Sequence, residues 1–359
     1  MVATPQTNTT LAAIAEALRA YDTFAVCGHV NPDGDCLGSQ LALALALEAA
    51  GKKVDRLLVR DDAIDAGLRF LPGAQRLIPA ESYDGAPQVF IACDVPLRDR
   101  IGAAASVQDR ACLRVTIDHH AVDTSMSEMN YVDPDAAACG LLVWELIGCM
   151  EVPVSPEIAT CCYVALMSDT GRFQYQNTDA AVFAAAGAMV AAGADPALCS
   201  REVYQRRSRA SLGLEGILLD RMVVADDGAW CMAALSADDF ASCNAVKADA
   251  EPLIDVIRSL DGIRVACVLR ENDGNVRGSL RAKDEDTDVS LLARFIGGGG
   301  HKAAAGFTFN GSLGQAASQL PSYLEALCSL PDPCDGQAAQ TVFSKVRESL
   351  SEEVRDVRG

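Results

Sequence analysis

Short apolar runs alternate with stretches of helical periodicity through the first half of this 359-residue chain, and this alternation limits the fold more than any other feature. The predicted strands cover residues 23–27, 54–59, 88–93 and 113–117, and the predicted helices cover residues 11–19, 37–50, 135–150 and 155–167. Strands and helices in alternation are typical of a doubly wound, parallel α/β sheet. In such sheets, ligands bind beyond the carboxyl ends of the strands.

The pattern changes after a polar, basic segment at residues 201–209. Two short apolar runs flank Asp226-Asp227-Gly228 and predict a hairpin, and a helix, two strands and a glycine-rich loop follow. We therefore predict a second, smaller α+β domain. The expected boundaries are a first domain at residues 1–195, a linker helix region at 196–221, a second domain at 222–330 and a polar C-terminal tail at 331–359, with a charged amphipathic stretch at 342–357.

The chain is strongly acidic, because 49 Asp and Glu against 30 Lys and Arg give a formal net charge of −19. Such a surface argues against long duplex nucleic acid as a partner, since that binding needs many cations against phosphates. It still permits a short anionic ligand held by a local positive pocket or by metal ions. Half of the residues are hydrophobic and 22% are charged, which excludes a disordered or collagen-like chain.

The sequence favours a cytoplasmic protein that does not associate with membranes. No basic segment followed by an apolar stretch marks a signal peptide at the N-terminus. The uncharged run between Asp179 and Asp195 is shorter than the ~20 residues that a spanning helix needs, and we interpret it as a packed helix. The 14 cysteines are scattered, without a CxxC pair or zinc-ligand spacing, so we expect reduced thiols.

The first histidine lies in the segment GHVNPDGD at residues 28–35, between a predicted strand and a predicted helix. On a loop bent by glycine and proline, the imidazole of His29 and the carboxylates of Asp33 and Asp35 can point to one place. Carboxylate and imidazole without thiolate suit Mn²⁺ or Mg²⁺. The same residue types also make ordinary turns, so this segment alone leaves both interpretations open.

Further acidic residues and histidines follow other predicted elements. Asp94 ends a strand, where an N-cap is the alternative, and Asp169 ends a helix, where an ordinary turn is the alternative. Asp118, His119 and His120 end another strand, where one imidazole can bind a metal while the other contacts substrate. With the first segment, these motifs supply two histidines and four aspartates as candidate metal ligands, enough for two metal ions that share a bridging carboxylate. Such a site makes a hydroxide from water and holds the attacking and leaving oxygens of an in-line phosphoryl displacement.

The fourth histidine, His301, follows four glycines at residues 297–300. Glycines let backbone amides approach an anion closely, although a glycine-rich loop is often only a flexible turn. Between residues 264 and 302, seven Lys and Arg against six acidic residues give a net charge of +1, which favours a local pocket for a terminal phosphate. Arg281 and His301 are the contacts we expect. Three basic residues of the linker are interpreted as a solvated helix face: Arg206, Arg207 and Arg209.

Taken in order, GHVNPDGD, the strand-ending Asp94, DHH and SDTGRF resemble the four signature motifs of the DHH phosphoesterases. GSLRAKD at residues 278–284 and GGGGHKAAAGF at residues 297–307 resemble the signature of the associated DHHA1 substrate domain, and the resemblance spans roughly residues 10–325. By size and domain order the chain is similar to the bacterial oligoribonucleases of this family that also dephosphorylate 3′-phosphoadenosine 5′-phosphate (pAp). Two departures are Cys139-Gly140, where many relatives have a hydroxyl residue before Gly, and Ile296 before the glycine run.

The resemblance implies an active site in the cleft between the two domains, with two divalent ions, Mn²⁺ first and Mg²⁺ as the alternative. It assigns His29, Asp33 and Asp94 to one ion, and Asp35, Asp94, His119 and Asp169 to the other, with Asp94 bridging. Asp118 would orient a metal-bound imidazole, and His120 would stabilise the charge that develops on the scissile phosphate. The implied substrate-binding residues are Arg281, Lys283, Gly298, Gly299, Gly300 and His301.

The activity implied by the resemblance is hydrolysis of short single-stranded RNA (nanoRNA) to mononucleotides and of pAp to AMP. A phosphodiesterase for linear or cyclic di-adenylate would use the same residues. An inorganic pyrophosphatase is disfavoured because the second domain of that family lacks a GGGH-type loop. A non-catalytic nucleotide sensor would need a lost metal ligand, and all six ligand positions carry the expected residue type. A homodimer is left open.

Overall fold

The computed structural model describes residues 7–61, 64–121, 124–272, 274–332 and 335–356, with the backbone alone at 352–356, and it divides after Arg206 into two compact units. The helices of the first unit are α1 (Leu11–Arg19), α2 (Gly34–Ala49), α3 (Ala104–Arg110), α4 (Cys139–Met150), α5 (Pro156–Asp169), α6 (Ala180–Ala191) and α7 (Pro196–Tyr204). Its strands are β1 (Thr23–Cys27), β2 (Lys53–Leu58), β3 (Leu77–Pro79), β4 (Val89–Cys93), β5 (Leu113–Asp118) and β6 (Met129–Val132).

The six strands of the first unit form one parallel sheet in the order β3-β2-β1-β4-β5-β6. The predicted doubly wound sheet is confirmed, and each of the four strands predicted in the first half of the chain matches an observed strand to within one residue at each end. In this order β2 and β3 lie on one side of β1, whereas β4, β5 and β6 lie on the other side, so the strand order reverses between β1 and β4. Ligands of such sheets bind in the crevice outside the carboxyl ends of the strands at that reversal, which is where residues 28–35 and Asp94 lie.

Helix α2 is the central helix of the first unit, with 13 of its 16 residues buried. It packs against α4 and α5, and a Cβ at Gly38 would lie 2.5 Å from the carbonyl oxygen of Cys161, so glycine permits the close approach of α2 to α5. The helix begins at Gly34, three residues before the predicted start at residue 37. The predicted start was late because Asp33 is the N-cap, which places Asp35 inside the first turn.

The second unit contains a mixed sheet in the order β11-β12-β10-β9-β8-β7, in which only β8 and β9 are parallel. Its strands are β7 (Val223–Val224), β8 (Trp230–Leu235), β9 (Val265–Asn272), β10 (Asn275–Ala282), β11 (Gly299–Gly300) and β12 (Ala304–Phe309). Its helices are α8 (Arg209–Asp220), α9 (Ala237–Cys243), α10 (Leu253–Arg258), α11 (Val289–Phe295), α12 (Leu313–Cys328) and α13 (Gly336–Asp356). This is the α+β architecture expected for the second part of the chain, and the predicted hairpin is β7–β8.

Helices cover the sheet of the second unit on both faces. One face packs with α11, α12 and α13, and the other with α8 and α10. The residues interpreted as a polar tail include α13, whose Ala339 and Phe343 are buried in the core of this unit.

Helix α6, predicted as a packed helix, buries one face through Val182, Ala186 and Met189 and leaves Phe183 57% exposed. Within the described part of the chain no single helix is long and apolar enough to cross a membrane, and α6 with α7 passes that test only as a pair bent by 107°.

Candidate metal centre and active site

The loop between β1 and α2 places the first predicted ligands. Asp33 caps α2, since its Oδ1 accepts from the amide of Cys36 at 3.0 Å. His29 is buried, and its Nδ1 donates to the carbonyl oxygen of Val30 at 2.9 Å. In the neutral ring this bond assigns the proton to Nδ1 and makes Nε2 the electron-pair donor. Nε2 lies 3.3 Å from Asp94 Oδ2 and 3.8 Å from Asp33 Oδ2.

Asp94 lies directly after β4 and connects the histidines. Its φ is 56°, and its amide donates to the carbonyl oxygen of Ile117 at 3.0 Å. Its Oδ2 faces His29, while Oδ1 lies 3.4 Å from His119 Nε2 and 3.6 Å from His120 Nδ1. The side chain is buried, and Oδ1 has no hydrogen-bond partner among the described residues. A buried carboxylate oxygen without such a partner is costly, and a bound cation would satisfy it.

His119, the first residue after β5, is surrounded by carboxylates. Its Nδ1 donates to the carbonyl oxygen of Ala136 at 3.1 Å. Its Nε2 lies 3.3 Å from Asp169 Oδ2, 3.4 Å from Asp94 Oδ1 and 3.6 Å from Asp35 Oδ2. His29 and His119 therefore share one arrangement, in which a backbone carbonyl holds Nδ1 and Nε2 points toward the aspartates. This is the usual way in which proteins orient imidazoles that bind metals.

His120 is held differently, since its Nδ1 donates to Oδ1 of the buried Asp118 at 2.8 Å. The prediction that Asp118 orients a metal-bound imidazole is wrong for His119, because the carbonyl of Ala136 binds its Nδ1 and Asp118 pairs with His120 instead. Asp118 ends β5, and of the two imidazoles that follow it, the ring of His120 is the one within hydrogen-bond distance of its carboxylate. The bond leaves Nε2 on the opposite edge of the His120 ring.

Asp35 is held by three donors that no sequence motif indicates. The amides of Cys139 and Gly140, at the start of α4, donate to its two carboxylate oxygens at 2.7 and 2.8 Å. The hydroxyl of Ser39, one turn along α2, donates at 3.0 Å. At Cys139-Gly140, where many relatives have a hydroxyl residue before Gly, the backbone amides contact the site. These two amides are free to donate to Asp35 because α4 begins at Cys139. The predicted start at residue 135 would have placed them inside the helix.

Asp169 is the last residue of α5. The chain then turns in a left-handed conformation, with φ of 53° at Gly171, 65° at Arg172 and 62° at Phe173. At this end of α5, the Asp169 carboxylate lies 3.3 Å from His119 Nε2. The SDTGRF motif thus ends a helix, as the alternative interpretation had it, and also delivers a carboxylate to the cluster.

The aspartates strongly affect one another. Burial, then Asp94 and Asp169, raises the pKa of Asp35 well above its usual range. Burial lowers the pKa of His119, but Asp169 and Asp94 outweigh it and raise that pKa well above its usual range. Burial also opposes ionisation of Asp94, yet the close approach of the His119 and His29 imidazoles holds its pKa well below its usual range. Divalent ions would let all of these carboxylates stay ionised side by side.

The six predicted metal ligands are therefore brought together, around His29 Nε2, His119 Nε2 and the carboxylate of Asp94. Their donor set of imidazole nitrogens and carboxylate oxygens fits divalent cations. Oδ1 of Asp94, buried without a hydrogen-bond partner among the described residues, is the position where such an ion is most needed. Asp33 differs from the rest, because its side chain is 59% exposed and lies at the rim of the cluster.

The predicted substrate-binding residues lie in the second unit, around β10, β11 and β12. Arg281 lies on β10, and one of its Nη atoms donates to the carbonyl oxygen of Leu280 at 3.1 Å. The Lys283 ammonium donates to the carbonyl oxygen of Leu260 at 2.6 Å, which ties it to the end of a neighbouring helix. His301 is exposed, and its amide donates to the carbonyl oxygen of Ala304 at 2.8 Å.

The glycine run is an ordered edge of the sheet. Gly299 and Gly300 form β11, which pairs with Gly306 and Ala305 of β12. A Cβ at Gly298 would lie 2.1 Å from the carbonyl oxygen of Gly306, so glycine is required there for close packing. In the linker, Arg206 pairs with Glu202 and Arg207 with Glu215. Both arginines lie between α7 and α8, so the predicted helix face is wrong for them, and only Arg209 lies in a helix.

Known proteins resemble this chain over both units. The family model "DHH family, N-terminal domain" matches residues 23–166, and the model "DHHA1 domain" matches residues 240–330. Bifunctional oligoribonuclease and PAP phosphatase NrnA of Thermus thermophilus is 28% identical, over 83% of this chain and 88% of the relative. The Bacillus subtilis protein of the same name is 24% identical, over 88% of this chain and 97% of the relative.

A third relative and a solved structure extend this comparison. Cyclic-di-AMP phosphodiesterase GdpP of Geobacillus thermodenitrificans is 26% identical over 86% of this chain, which spans about half of that protein (48%). The crystal structure of an exopolyphosphatase-related protein from Bacteroides fragilis matches with a TM-score of 0.83 and 25% identity, over 89% of this chain and 96% of that one. With the aspartates and histidines of the first unit in place and both domain models matched in order, the chain belongs to the DHH family of phosphoesterases and carries a DHHA1 domain in its second unit.

Proposed function

We propose that this protein hydrolyses short oligoribonucleotides to mononucleotides and pAp to AMP, with two divalent ions held by the aspartates and histidines of the first unit. The observation that carries the proposal is the placement of Asp94, whose two carboxylate oxygens face His29 and His119 separately. A carboxylate with one oxygen toward each histidine is suited to bridge two ions. We assign His29, Asp33 and Asp94 to one ion and Asp35, Asp94, His119 and Asp169 to the other.

Two such ions, when bound, supply a nucleophile from water and a Lewis acid for the phosphoryl oxygens, with Mn²⁺ as the expected ion and Mg²⁺ as the alternative. The side chains and carbonyl groups of the protein set the protonation and orientation of the three histidines. The carbonyls of Val30 and Ala136 keep Nδ1 of the two ligating imidazoles protonated, so that Nε2 stays available. Asp118 holds a proton on Nδ1 of His120 and favours the charged ring, which we place against the phosphate to stabilise its developing charge.

The relatives support the substrate class. Two proteins named bifunctional oligoribonuclease and PAP phosphatase align over more than four fifths of the chain. The net charge of −19 disfavours long polyanions and agrees with a small substrate. We assign the binding of the far end of the substrate to Arg281, Lys283, Gly298, Gly299, Gly300 and His301. The described cysteines are all free thiols, which supports a reducing, cytoplasmic setting.

The test is a substrate panel assayed with Mn²⁺ on the purified chain and on Asp94→Asn. Asparagine tolerates the positive φ of residue 94 better than alanine would, so this variant removes the charge with little strain. We expect the parent to hydrolyse pAp and a diribonucleotide faster than an RNA of about 24 nucleotides, because the acidic surface repels long polyanions. Asp94→Asn should lose about a thousandfold or more, the equivalent of several kcal/mol of transition-state stabilisation.

Asp22→Asn is the matched control, because it removes an exposed carboxylate from the surface of the same unit. It should keep the activity of the parent. Full activity of folded Asp94→Asn would refute the two-ion site, and equal rates on the dinucleotide and the long RNA would refute the preference for short substrates.

A di-adenylate phosphodiesterase is the second candidate, because a relative named cyclic-di-AMP phosphodiesterase aligns over 86% of the chain. Linear and cyclic di-adenylate in the same panel separate the two. Turnover of the cyclic dinucleotide ahead of both pAp and the diribonucleotide would favour this alternative. Tight binding of nucleotides without any turnover in Mn²⁺ would instead indicate a sensor.

A further inference from the structure

Cys36 is a soft donor inside the candidate metal centre, and the proposed mechanism does not use it. It lies in the first turn of α2 and is fully buried. Its Sγ, a ring nitrogen of His29 and a carboxylate oxygen of Asp94 all lie within 4.8 Å of one another. Donor atoms at this spacing can meet on a single ion, since metal–sulfur and metal–nitrogen bonds in zinc sites are about 2.3 and 2.0 Å long.

The position of the thiol is set by its surroundings. The amide of Cys36 donates to Asp33 Oδ1 at 3.0 Å, and its Sγ accepts from the amide of His29 at 3.2 Å. A Cβ at Gly28 would lie 2.1 Å from this sulfur, so a glycine at that position makes the room that the thiol occupies. The sulfur is therefore held against the loop that carries His29, and it is not free to rotate away into an apolar core.

Asp94 supplies the third donor. Its carboxylate is buried and Oδ2 lies 3.3 Å from His29 Nε2, while Oδ1, which has no hydrogen-bond partner among the described residues, faces His119. We propose that His29, Cys36 and Asp94 form a thiolate-containing site for Zn²⁺ or Cd²⁺, in the same place as the Mn²⁺ position assigned to His29 and Asp94.

The chemistry of the three donors explains the selectivity. Imidazole and carboxylate alone accept Mn²⁺ or Mg²⁺, whereas a thiolate adds preference for Zn²⁺ and its softer congener Cd²⁺, and affinities rise from Mn²⁺ to Zn²⁺ in most sites. When the ion binds, the Cys36 S–H bond breaks, the proton goes to solvent and the sulfur electron pair forms the bond to the metal, with no change of oxidation state. The inference rests on the proposed function only in naming Mn²⁺ as the ion that is displaced.

The experiment titrates Cd²⁺ into the full-length, chelator-treated protein and follows sulfur-to-cadmium charge-transfer absorption in the ultraviolet. Parent, Cys36→Ser, Cys36→Ala and Cys27→Ala are compared, so that signals from the other 13 cysteines cancel in the differences. Cys27 is the matched control, because it is equally buried and its thiol donates to the carbonyl of Gly28. We expect both Cys36 variants to lose one equivalent of the band and about tenfold or more in Cd²⁺ affinity, while Cys27→Ala keeps both.

Mn²⁺ binding, measured by electron paramagnetic resonance on the same proteins, shows whether the site is intact. It should change less than about threefold in the Cys36 variants, and Cd²⁺ should displace Mn²⁺ from the parent more readily than from these variants. Retention of the full band in Cys36→Ser and Cys36→Ala would overturn the proposal. Loss of Cd²⁺ and Mn²⁺ together in both variants would also overturn it, because the thiol would then be only structural. Failure of the proposed function has a different signature, namely a parent that neither binds Mn²⁺ nor hydrolyses any substrate of the panel.

Discussion

The three histidines of the first unit differ in what holds Nδ1, and this difference separates their chemistry. Backbone carbonyls hold the rings of His29 and His119, and a carbonyl can only accept, so these rings offer Nε2 to a metal. A carboxylate holds His120, and its negative charge favours the protonated ring. Burial lowers the pKa of His120, but Asp118 outweighs it and raises that pKa above its usual range.

Replacing Asp118 should shift the pH dependence of hydrolysis. His120 is protonated below its pKa and loses the proton as the pH rises through it, so its charge stabilises the phosphate only on the acidic side of that pKa. Asp118→Asn removes the charge that raises the pKa of His120, and the alkaline limb of the kcat/KM profile should therefore move to lower pH. Mn²⁺ affinity should stay within a small factor of the parent value, since Asp118 is not an assigned ligand. An unchanged profile in a folded variant would show that the charge of His120 does not take part.

The residues that line this site could be predicted from the sequence, but their hydrogen-bond partners could not. The predicted metal ligands converge because each follows a strand or helix that ends on the same side of one sheet. The partner of Asp118, and the donors to Asp35, depend on backbone groups and on the start of a helix. Carbonyl and amide groups are present at every residue, so no sequence pattern marks the ones that matter.

Among the elements, α4 contributes its N-terminus to the site. The amides of Cys139 and Gly140 donate to Asp35, and no side chain can replace them there. A Cβ at Gly140 would lie 2.3 Å from Cβ of Ala165 on α5, so glycine sets the distance between these two helices. The orientation of Asp35 is thus coupled to the packing of α4 on α5.

Gly140→Ala should lower both stability and metal affinity. The added methyl group forces α4 away from α5, and overpacking of this kind costs about 1–3 kcal/mol. Urea unfolding and Mn²⁺ titration measure the two effects. Gly148→Ala on the same helix is the control, because nothing lies within 4 Å of its added Cβ, and it should be neutral or stabilising by up to about 1 kcal/mol. Equal stability and equal Mn²⁺ affinity of the two variants would show that the packing of α4 on α5 does not affect Asp35.

Helix boundaries were the weak point of prediction at this scale. The pattern of apolar residues located α2, α4 and α5, but α2 begins earlier and α4 later than expected. Asp33 caps α2 within a segment whose Gly and Pro indicate a loop. Upstream of Cys139, Asp133-Pro134-Asp135 fits a helix start as well as a turn. These few residues decide whether Asp35 and the amides of α4 meet.

For the whole molecule, each unit has its own sheet and its own core. The alternation of strands and helices was enough to predict the parallel sheet, because the apolar runs that form the central strands β1 and β4 are almost entirely buried. Strands β3 and β6, of three and four residues, were missed, since so short a run carries no period. Because α13 carries many charged residues, its sequence was interpreted as a polar tail. In the structure its Phe343 packs in the second core, at a ring-centroid distance of 5.4 Å from Phe295.

Removal of the Phe343 ring should destabilise the second unit. The side chain is fully buried among Phe295 and Tyr323, and truncation of such a residue to alanine costs about 3–5 kcal/mol. Urea unfolding of Phe343→Ala measures it, with the exposed Lys345→Ala on the same helix as control. Equal midpoints for the two variants would mean that α13 adds nothing to this core.

Metal binding should stabilise the first unit. Since the ions bind the folded site, Mn²⁺ at 100 times its Kd raises the free energy of unfolding by about 2.7 kcal/mol for each site. A higher thermal midpoint in Mn²⁺ than in chelator is the expected result, and Asp94→Asn should lose most of the difference. An identical midpoint in both conditions would argue against tight ion binding by the native chain.

The two-residue strands β7 and β11 lie at opposite margins of the second sheet. Long open strand edges invite pairing with other chains, and very short marginal strands are one of the ways in which natural proteins prevent it. The six- and eight-residue strands of this sheet are all interior, so the described part of the second unit presents almost no backbone template to a neighbouring copy. This design protects a protein from fibrous self-association at high concentration, and the glycine run that ends in β11 is part of that protection.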